Sequence, residues 1–386
     1  MRSQISKLAG LASSDTVDHT RRALIAALPA WLTARAVVIS TLLLAHFLLR
    51  YLHPTSATVA MHVHEGLLGW DASWYRAIAA HGYAALPSSS LRFFPLVPLL
   101  ASGVATSIGT TAGTSLLIVT NALALCATAL LYELARHETG DEALARRAAW
   151  LISLAPPAFV LVMGYSESAL IVLAIGIMLA LRTRHWTWVL PLGCLAGVAR
   201  PLGLLLAAPI AIEVARNWRS VDLRRRIIGG SAVLSPLAGT GAYLTWVWSR
   251  YGKPLLPLTI QTEAKHRGSF ANPLATLAHD ASFLFHGRHI GTGLHVPWVL
   301  LAAALAVVAF RRWPASYGAL ATLVIVVAIS QTNLDSFERY ALSAFPLVLA
   351  AASLTSSRRV ERAVLALSVA GMVIYGLLAF LGAYVP

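Results

Sequence analysis

The residues able to do chemistry lie in short polar islands between long apolar blocks. The most informative island reads His62-Val63-His64-Glu65-Gly66-Leu67-Leu68-Gly69-Trp70-Asp71-Ala72-Ser73-Trp74-Tyr75-Arg76. Trp70, Trp74 and Ile78 share one helical face with Tyr75 beside it, and Asp71 begins that helix. A carboxylate at a helix N-terminus is held ionised by the orphan N–H groups and the helix dipole. Two roles stay open for Asp71: an N-cap, or a general base at a membrane surface that accepts a proton from a hydroxyl. Glu65 is either a second acid or a solvated loop charge. His62 and His64, at i and i+2, match no compact ligand motif and read as surface residues, so no metal site is expected.

Three further islands carry charge. The turn Met163-Gly164-Tyr165-Ser166-Glu167-Ser168 puts Glu167 in the first turn of a helix, as a cap or as a functional acid. Arg200 stands alone between apolar half-helices, where an unpaired arginine costs about 2.5–3.5 kcal/mol on insertion scales. Snorkelling to the surface or bidentate binding of a lipid phosphate would relieve that cost. In Gln331-Thr332-Asn333-Leu334-Asp335-Ser336-Phe337-Glu338-Arg339-Tyr340, Arg339 is placed to pair with Asp335 at i−4 or to bind phosphate.

Composition sets the elements that must position these groups. Of 386 residues, 58% are apolar and 12% charged, and the mean hydropathy is +0.70. A soluble domain carries about a quarter charged residues, so a water-facing surface of ordinary area is excluded. The apolar runs are long enough to cross a bilayer and show no strand alternation, which excludes a transmembrane barrel. An all-α polytopic membrane protein follows, a single integral domain over 1–386. The net charge of +14 is spread between apolar blocks, unlike a nucleic-acid footprint. Cys126 and Cys194 read as small buried hydrophobes.

About eleven spans are predicted, near 33–52, 114–135, 148–163, 166–182, 187–199, 202–214, 227–249, 296–310, 315–330, 340–355 and 363–383. Residues 1–32 read as a cytoplasmic tail with no signal peptide. With that tail inside, 20 of the 30 Lys and Arg residues, Arg35 among them, fall on the cytoplasmic side, as the positive-inside rule asks. This count makes 93–112, with Pro95 and Pro98, a juxtamembrane or re-entrant element, and splits 187–214 at Arg200-Pro201. Two large outer loops remain, 53–113 and 250–295. Their aromatics (Trp70, Trp74, Tyr75, Tyr83, Phe93, Phe94, Phe270, Phe283, Phe285) predict amphipathic helices lying in the headgroup layer. The second loop adds Arg250, Lys253, Lys265, Arg267 and Arg288 with His266, His279, His286, His289 and His295, a cationic surface near headgroups.

Several stretches together resemble the PIG-V family of mannosyltransferases. They are Trp70-Asp71-x-x-Trp74-Tyr75-x-x-Ile78-Ala79-x-x-Gly82-Tyr83, Phe93-Phe94-Pro95-Leu96-x-Pro98-Leu99-Leu100, and Pro156-x-x-Phe159. Tyr165-Ser166-Glu167-Ser168, Ala199-Arg200-Pro201-x-Gly203-Leu204 and Arg339-Tyr340 before Phe345-Pro346 follow in the same order. The set covers roughly 33–350, departing from the family with Ala199 in place of a common Thr and Val97 in place of a common Tyr. The resemblance implies a GT-C glycosyltransferase that inverts configuration at the anomeric carbon. It implies a polyprenyl-phosphate-mannose donor and a glycolipid or glycan acceptor at the non-cytoplasmic face. Asp71 would match the essential acid of the first outer loop. Arg200 and Arg339 would hold the donor phosphate, and Glu65, Trp70, Trp74, Tyr75, Arg76, Tyr165, Glu167 and Tyr340 would contact substrate. No cofactor or divalent metal is demanded, because arginines can hold a lipid monophosphate. The excess of Arg over Lys (27 to 3) points to a high-GC bacterium, hence a cell membrane and a periplasmic active face. A monomer among membrane lipids is expected, with no nucleic-acid partner. Competing readings are a transporter or lipid flippase, which would need mid-membrane ionisable groups and repeats, and a non-catalytic mannosyltransferase subunit.

Overall fold

The computed structural model describes residues 2–52, 57–263, 266–286 and 293–386. Lys265, Arg288 and His289 of the cationic outer loop lie outside the described residues. Among the described residues there are helices and no strand, only an isolated bridge between Phe270 and Gln331. The helices are α1 (Arg2–Leu52), α2 (Ala57–Glu65), α3 (Asp71–His81), α4 (Leu96–Ile108), α5 (Ala112–Thr139), α6 (Glu142–Leu154), α7 (Glu167–Arg182), α8 (Val189–Ala199) and α9 (Ala207–Asn217). They continue with α10 (Leu223–Tyr251), α11 (Leu256–Gln261), α12 (Pro273–His286), α13 (His295–Arg312), α14 (Ala315–Ile329), α15 (Phe337–Ser343), α16 (Phe345–Leu354) and α17 (Arg358–Phe380).

Among the described residues, five helical stretches are long and apolar enough to cross a membrane: 18–51 of α1, then α5, α10, α13 and α17. Their outward faces expose Ile25, Leu43, Phe47, Leu234, Leu300 and Leu367. Water would not tolerate so continuous an apolar surface, whereas acyl chains do. The buried centre is built from α5, α6, α7 and α16, with Tyr165, Phe159, Tyr317 and Phe345 at most 1% exposed. On the flank, α8 meets α10 at glycines: a Cβ on Gly197 or Gly239 would overlap the backbone of the facing helix. Small residues let two membrane helices approach closely in this way.

Several predicted boundaries move, each for a backbone reason. The span expected at 148–163 is α6 followed by a 3₁₀ turn at Pro156–Leu161, because the residue before a proline is driven out of the helical region. The span expected at 340–355 is broken at Ala344, just before Phe345-Pro346. Residues 1–32 belong to α1, which runs unbroken from Arg2 to Leu52, and the apolar stretch able to span begins within them at Asp18. The expected break at Arg200-Pro201 is present, with Arg200 extended between α8 and a 3₁₀ turn. Segment 93–112 forms α4, whose 13 residues rise about 20 Å, short of a roughly 30 Å hydrocarbon core. Of the first outer loop's aromatics, Tyr75, Phe93 and Phe94 are buried and Trp70, Trp74 and Tyr83 half-buried, while Phe270 of the second loop is 78% exposed. Cys126 is exposed on α5 rather than buried.

The segment 155–166, which lies between α6 and α7 and includes the 3₁₀ turn, crosses the interior, where its carbonyls cannot reach water. Asn121 Nδ2 donates to the Val162 carbonyl at 3.0 Å, Arg35 Nη2 to the Leu161 carbonyl at 3.0 Å, and Thr120 Oγ1 to the Met163 carbonyl at 3.2 Å. Arg35 Nε also donates to Asn121 Oδ1 at 2.9 Å. Arg35 therefore sits inside the bundle and not at the cytoplasmic edge where the charge count put it. Irregular backbone survives at this depth only when protein groups satisfy it, and this segment is what delivers Tyr165 and Glu167 to one end of the bundle. Asn121→Leu removes two of these bonds at once and is expected to cost about 1–3 kcal/mol, read as a lower unfolding midpoint in detergent.

Candidate active site

At the end of the bundle where α3, α7 and α15 begin, the chain encloses a cleft of about 690 Å³. Asp71 enters it as the first residue of α3, beside Trp70, whose φ of 56° is a left-handed conformation unusual for a bulky side chain. Ser336, which precedes the helix carrying Arg339, has a φ of 62°. Two of the three positive-φ non-glycine residues described thus sit at this one site, and such strained backbone gathers where side chains must be aimed.

The charged groups form a chain. Arg339 Nη1 donates to Asp71 Oδ2 at 2.5 Å, and Arg339 Nε lies 3.3 Å from Glu167 Oε1. Glu167, wholly buried, is also paired with Arg200. Arg200 Nη1 donates to Ser166 Oγ at 3.2 Å, and Ser166 Oγ is 2.6 Å from the Tyr75 hydroxyl. The Tyr165 hydroxyl accepts from the Asp71 backbone N–H at 3.3 Å. Tyr340 lies under three guanidinium groups, those of Arg267, Arg339 and Arg200, at 4.6, 5.5 and 5.7 Å from its ring centre. Burial alone would push the Asp71 carboxyl up, but Arg339, Arg92 and Arg200 outweigh it and hold the group below the ordinary carboxylate range. Burial works against the Arg339 charge, yet Asp71 and Glu167 keep it firmly protonated.

Most of the residues singled out from sequence converge here, though not all as expected. Glu65, Trp70, Asp71, Trp74, Tyr75, Arg200, Arg339 and Tyr340 line the cleft. Tyr165 and Glu167 sit beneath its wall as buried supports. Arg76 does not reach it; its aliphatic stem packs by Gly113 at the start of α5. Asp71 makes no side-chain cap, and neither does Ser166 before Glu167. Arg339 pairs with Asp71 instead of Asp335, because Asp335 lies outside the helix that begins at Phe337 and i−4 spacing does not apply. His62 is no surface residue: its ring stacks on Trp70 at 4.0 Å, with Nδ1 3.9 Å from Glu65. Among the described residues no three His, Cys, Asp or Glu side chains come together as a ligand set.

Sequence reasoning missed Arg92, and saw Arg267 only as scattered surface charge. Arg267 is buried and spends its guanidinium on Gln331 Oε1 at 2.6 Å and on the Ala328 and Asp335 carbonyls. Arg92 lies directly before the Phe93-Phe94-Pro95 run, the one signal that could have flagged it.

Fold and site define a polytopic helical membrane protein with a charged cleft at one end. The sequence profile described as Mannosyltransferase (PIG-V) matches residues 34–226, and the chain belongs to that family of membrane glycosyltransferases. No significant match is found among curated proteins. Of solved structures, the oligosaccharyltransferase of Archaeoglobus fulgidus in complex with zinc and sulfate is similar at 13% identity and a TM-score of 0.45, covering 92% of this chain and 53% of that one. The same enzyme tethered to an acceptor peptide containing the NVT sequon gives 12% identity, a TM-score of 0.43, and coverage of 93% and 55%. The chain thus spans about half the length of those structures.

Glu167 is the keystone of the charge chain, and its loss strands two arginines. Glu167→Ala is expected to cost about 3–5 kcal/mol of stability, the usual penalty for breaking a buried pair. Asp71→Asn should cost far less, because the Asp71 side chain is 28% exposed. Denaturation midpoints of the two purified variants compare these losses directly.

Proposed function

We propose that the cleft is the active centre of an inverting GT-C mannosyltransferase that takes mannose from a polyprenyl-phosphate donor and places it on a glycolipid or glycan acceptor. The observation that carries this reading is the state of Asp71. It is held ionised at the cleft wall, Arg339 occupies Oδ2, and none of the described residues donates to Oδ1. A base needs such an open oxygen within reach of the hydroxyl.

In the proposed reaction the acceptor oxygen attacks the anomeric carbon while Asp71 takes its proton. The bond from that carbon to the phosphate oxygen breaks, and its electron pair leaves on the prenyl phosphate. Arg339 borders the space where that charge grows, with Arg200 behind it on Glu167, and a fixed cation there stabilises the transition state without reorganising. Leu258, Phe270 and Val327 give the cleft an apolar side suited to a prenyl chain. A divalent metal is not part of the scheme, and activity that survives a chelator is expected.

Charge distribution supports an outer-face site. The opposite end of the bundle holds Arg182 bonded to Glu138, and Arg216 bonded to Glu213, which also accepts from Ser316. α7 joins the two polar layers, and its 16 residues rise about 24 Å, most of a roughly 30 Å hydrocarbon core. Arg136, Arg146, Arg147, Arg311 and Arg312 terminate or begin helices at that far end, where the positive-inside rule would set the cytoplasm.

The test is transfer of radiolabelled mannose from polyprenyl-phosphate-mannose to a panel of lipid acceptors by the purified protein. Asp71→Asn should fold and bind donor but lose at least about 10²-fold in kcat; retained turnover would remove Asp71 as base. The pH profile follows from the sign of the Asp71 shift. A depressed carboxyl stays ionised through the neutral range, so the acid limb should fall only below the ordinary carboxylate range. The Asp71–Arg339 contribution to stability is lost over the same acid window.

A further inference from the structure

Among the described arginines lining the cleft, charge bookkeeping leaves Arg92 uncommitted. Arg339 serves Asp71 and Glu167, Arg200 serves Glu167, and Arg267 is consumed by Gln331 and two carbonyls. Two carboxylates and two arginines therefore cancel in the Asp71–Arg339–Glu167–Arg200 chain. Arg92 also lines the cleft and adds to the field on Asp71, yet none of the described residues gives it a hydrogen bond or ion pair. Its Nε is buried without a partner, and its guanidinium lies 4.8 Å from the centre of the Phe93 ring. Phe93 in turn stacks on Trp74 at 5.6 Å and meets Tyr75 edge-on at 5.2 Å. That packing fixes the arginine's base, while the 3₁₀ turn Ser88–Arg92 sets its backbone.

A buried guanidinium N–H without an acceptor is costly, and a planar fork of donors matches a phosphate in geometry and charge. We propose that Arg92 is the primary seat of the donor's phosphate, and that Arg200 is a positioning residue neutralised by Glu167 rather than a phosphate ligand. The inference rests on the proposed lipid-phosphate chemistry of the cleft and names the residue that recognises it. A sugar phosphodiester brings one negative charge and gains a second as it departs as a monoester. The balanced chain beneath has no spare charge to meet it, whereas Arg92 does. A phospholipid acceptor would offer the same phosphate chemistry, so the test must separate the two sources.

The experiment reads binding to the full-length protein in detergent, using farnesyl phosphate, farnesol and a soluble dihexanoyl phosphatidylinositol as probes. Arg92→Gln should weaken farnesyl phosphate binding about tenfold or more, Arg92→Lys should weaken it less, and farnesol and phosphatidylinositol binding should not change. In transfer assays the same variants should raise the donor KM and leave the acceptor KM alone. Unchanged farnesyl phosphate binding in Arg92→Gln, with an unfolding midpoint like wild type, would overturn the proposal. So would a loss confined to phosphatidylinositol, which would assign Arg92 to an acceptor headgroup. Should Arg92→Gln misfold, Arg92→Lys carries the same comparison. Failure of the transferase reading looks different: wild-type protein would bind farnesyl phosphate through Arg92 yet move no mannose.

Discussion

A single wholly buried carboxylate governs this end of the protein. Glu167 has no access to water, and its carboxylate is met from two sides by Arg200 and Arg339. Each arginine is in turn tolerable in an apolar bundle only because of Glu167 and, for Arg339, Asp71. The requirement propagates outward. Arg200 needs the extended backbone between α8 and its following 3₁₀ turn, and Arg339 needs the short α15. Glu167 needs the proline-broken segment after α6, whose stranded carbonyls are met by Asn121, Arg35 and Thr120. The irregular parts of the fold are thus the parts that bring four charged side chains together, and the regular helices are their frame.

How much of this could be read from the sequence depends on range. Apolar run length gave the polytopic helical class, and Arg200-Pro201 gave the break between α8 and α9. Both are local signals. Pro156-Pro157 and Phe345-Pro346 carried the same information, yet two spans were drawn through or across them, because hydropathy averages over a window and does not see one residue's φ restriction. Arg35 was counted at the cytoplasmic edge because charge alone does not report a partner 86 residues away.

The site was legible as a set of residues but not as a set of pairs. Asp71, Glu167, Arg200 and Arg339 stood out because a charge beside an apolar block demands an explanation. Asp71 and Arg339 are 268 residues apart, and the local rule favoured Asp335 instead. That rule assumes one continuous helix, and Ser336 in the left-handed region ends the assumption. Arg92 shows the opposite limit: it sits in a short turn with no periodicity, and only the knowledge that Arg200, Arg267 and Arg339 of the same cleft are occupied makes it conspicuous.

The Asp71–Arg339 contact places two demands on one carboxylate that pull against each other. Arg339 keeps Asp71 ionised in a site where burial favours the neutral acid, yet the same attraction weakens Asp71 as a base. A phosphate entering the cleft resolves the conflict in the useful direction. Its negative charge shares the field of Arg339 and Arg92 and adds a repulsion of its own, so the carboxylate's proton affinity rises when a donor is present. In the empty cleft the carboxylate stays a weak base, and an adventitious water is poorly activated. The Asp71–Arg339 pairing is therefore compatible with a base that gains strength from the substrate it serves, and the uncommitted charge on Arg92 lets that phosphate enter without breaking the buried chain around Glu167.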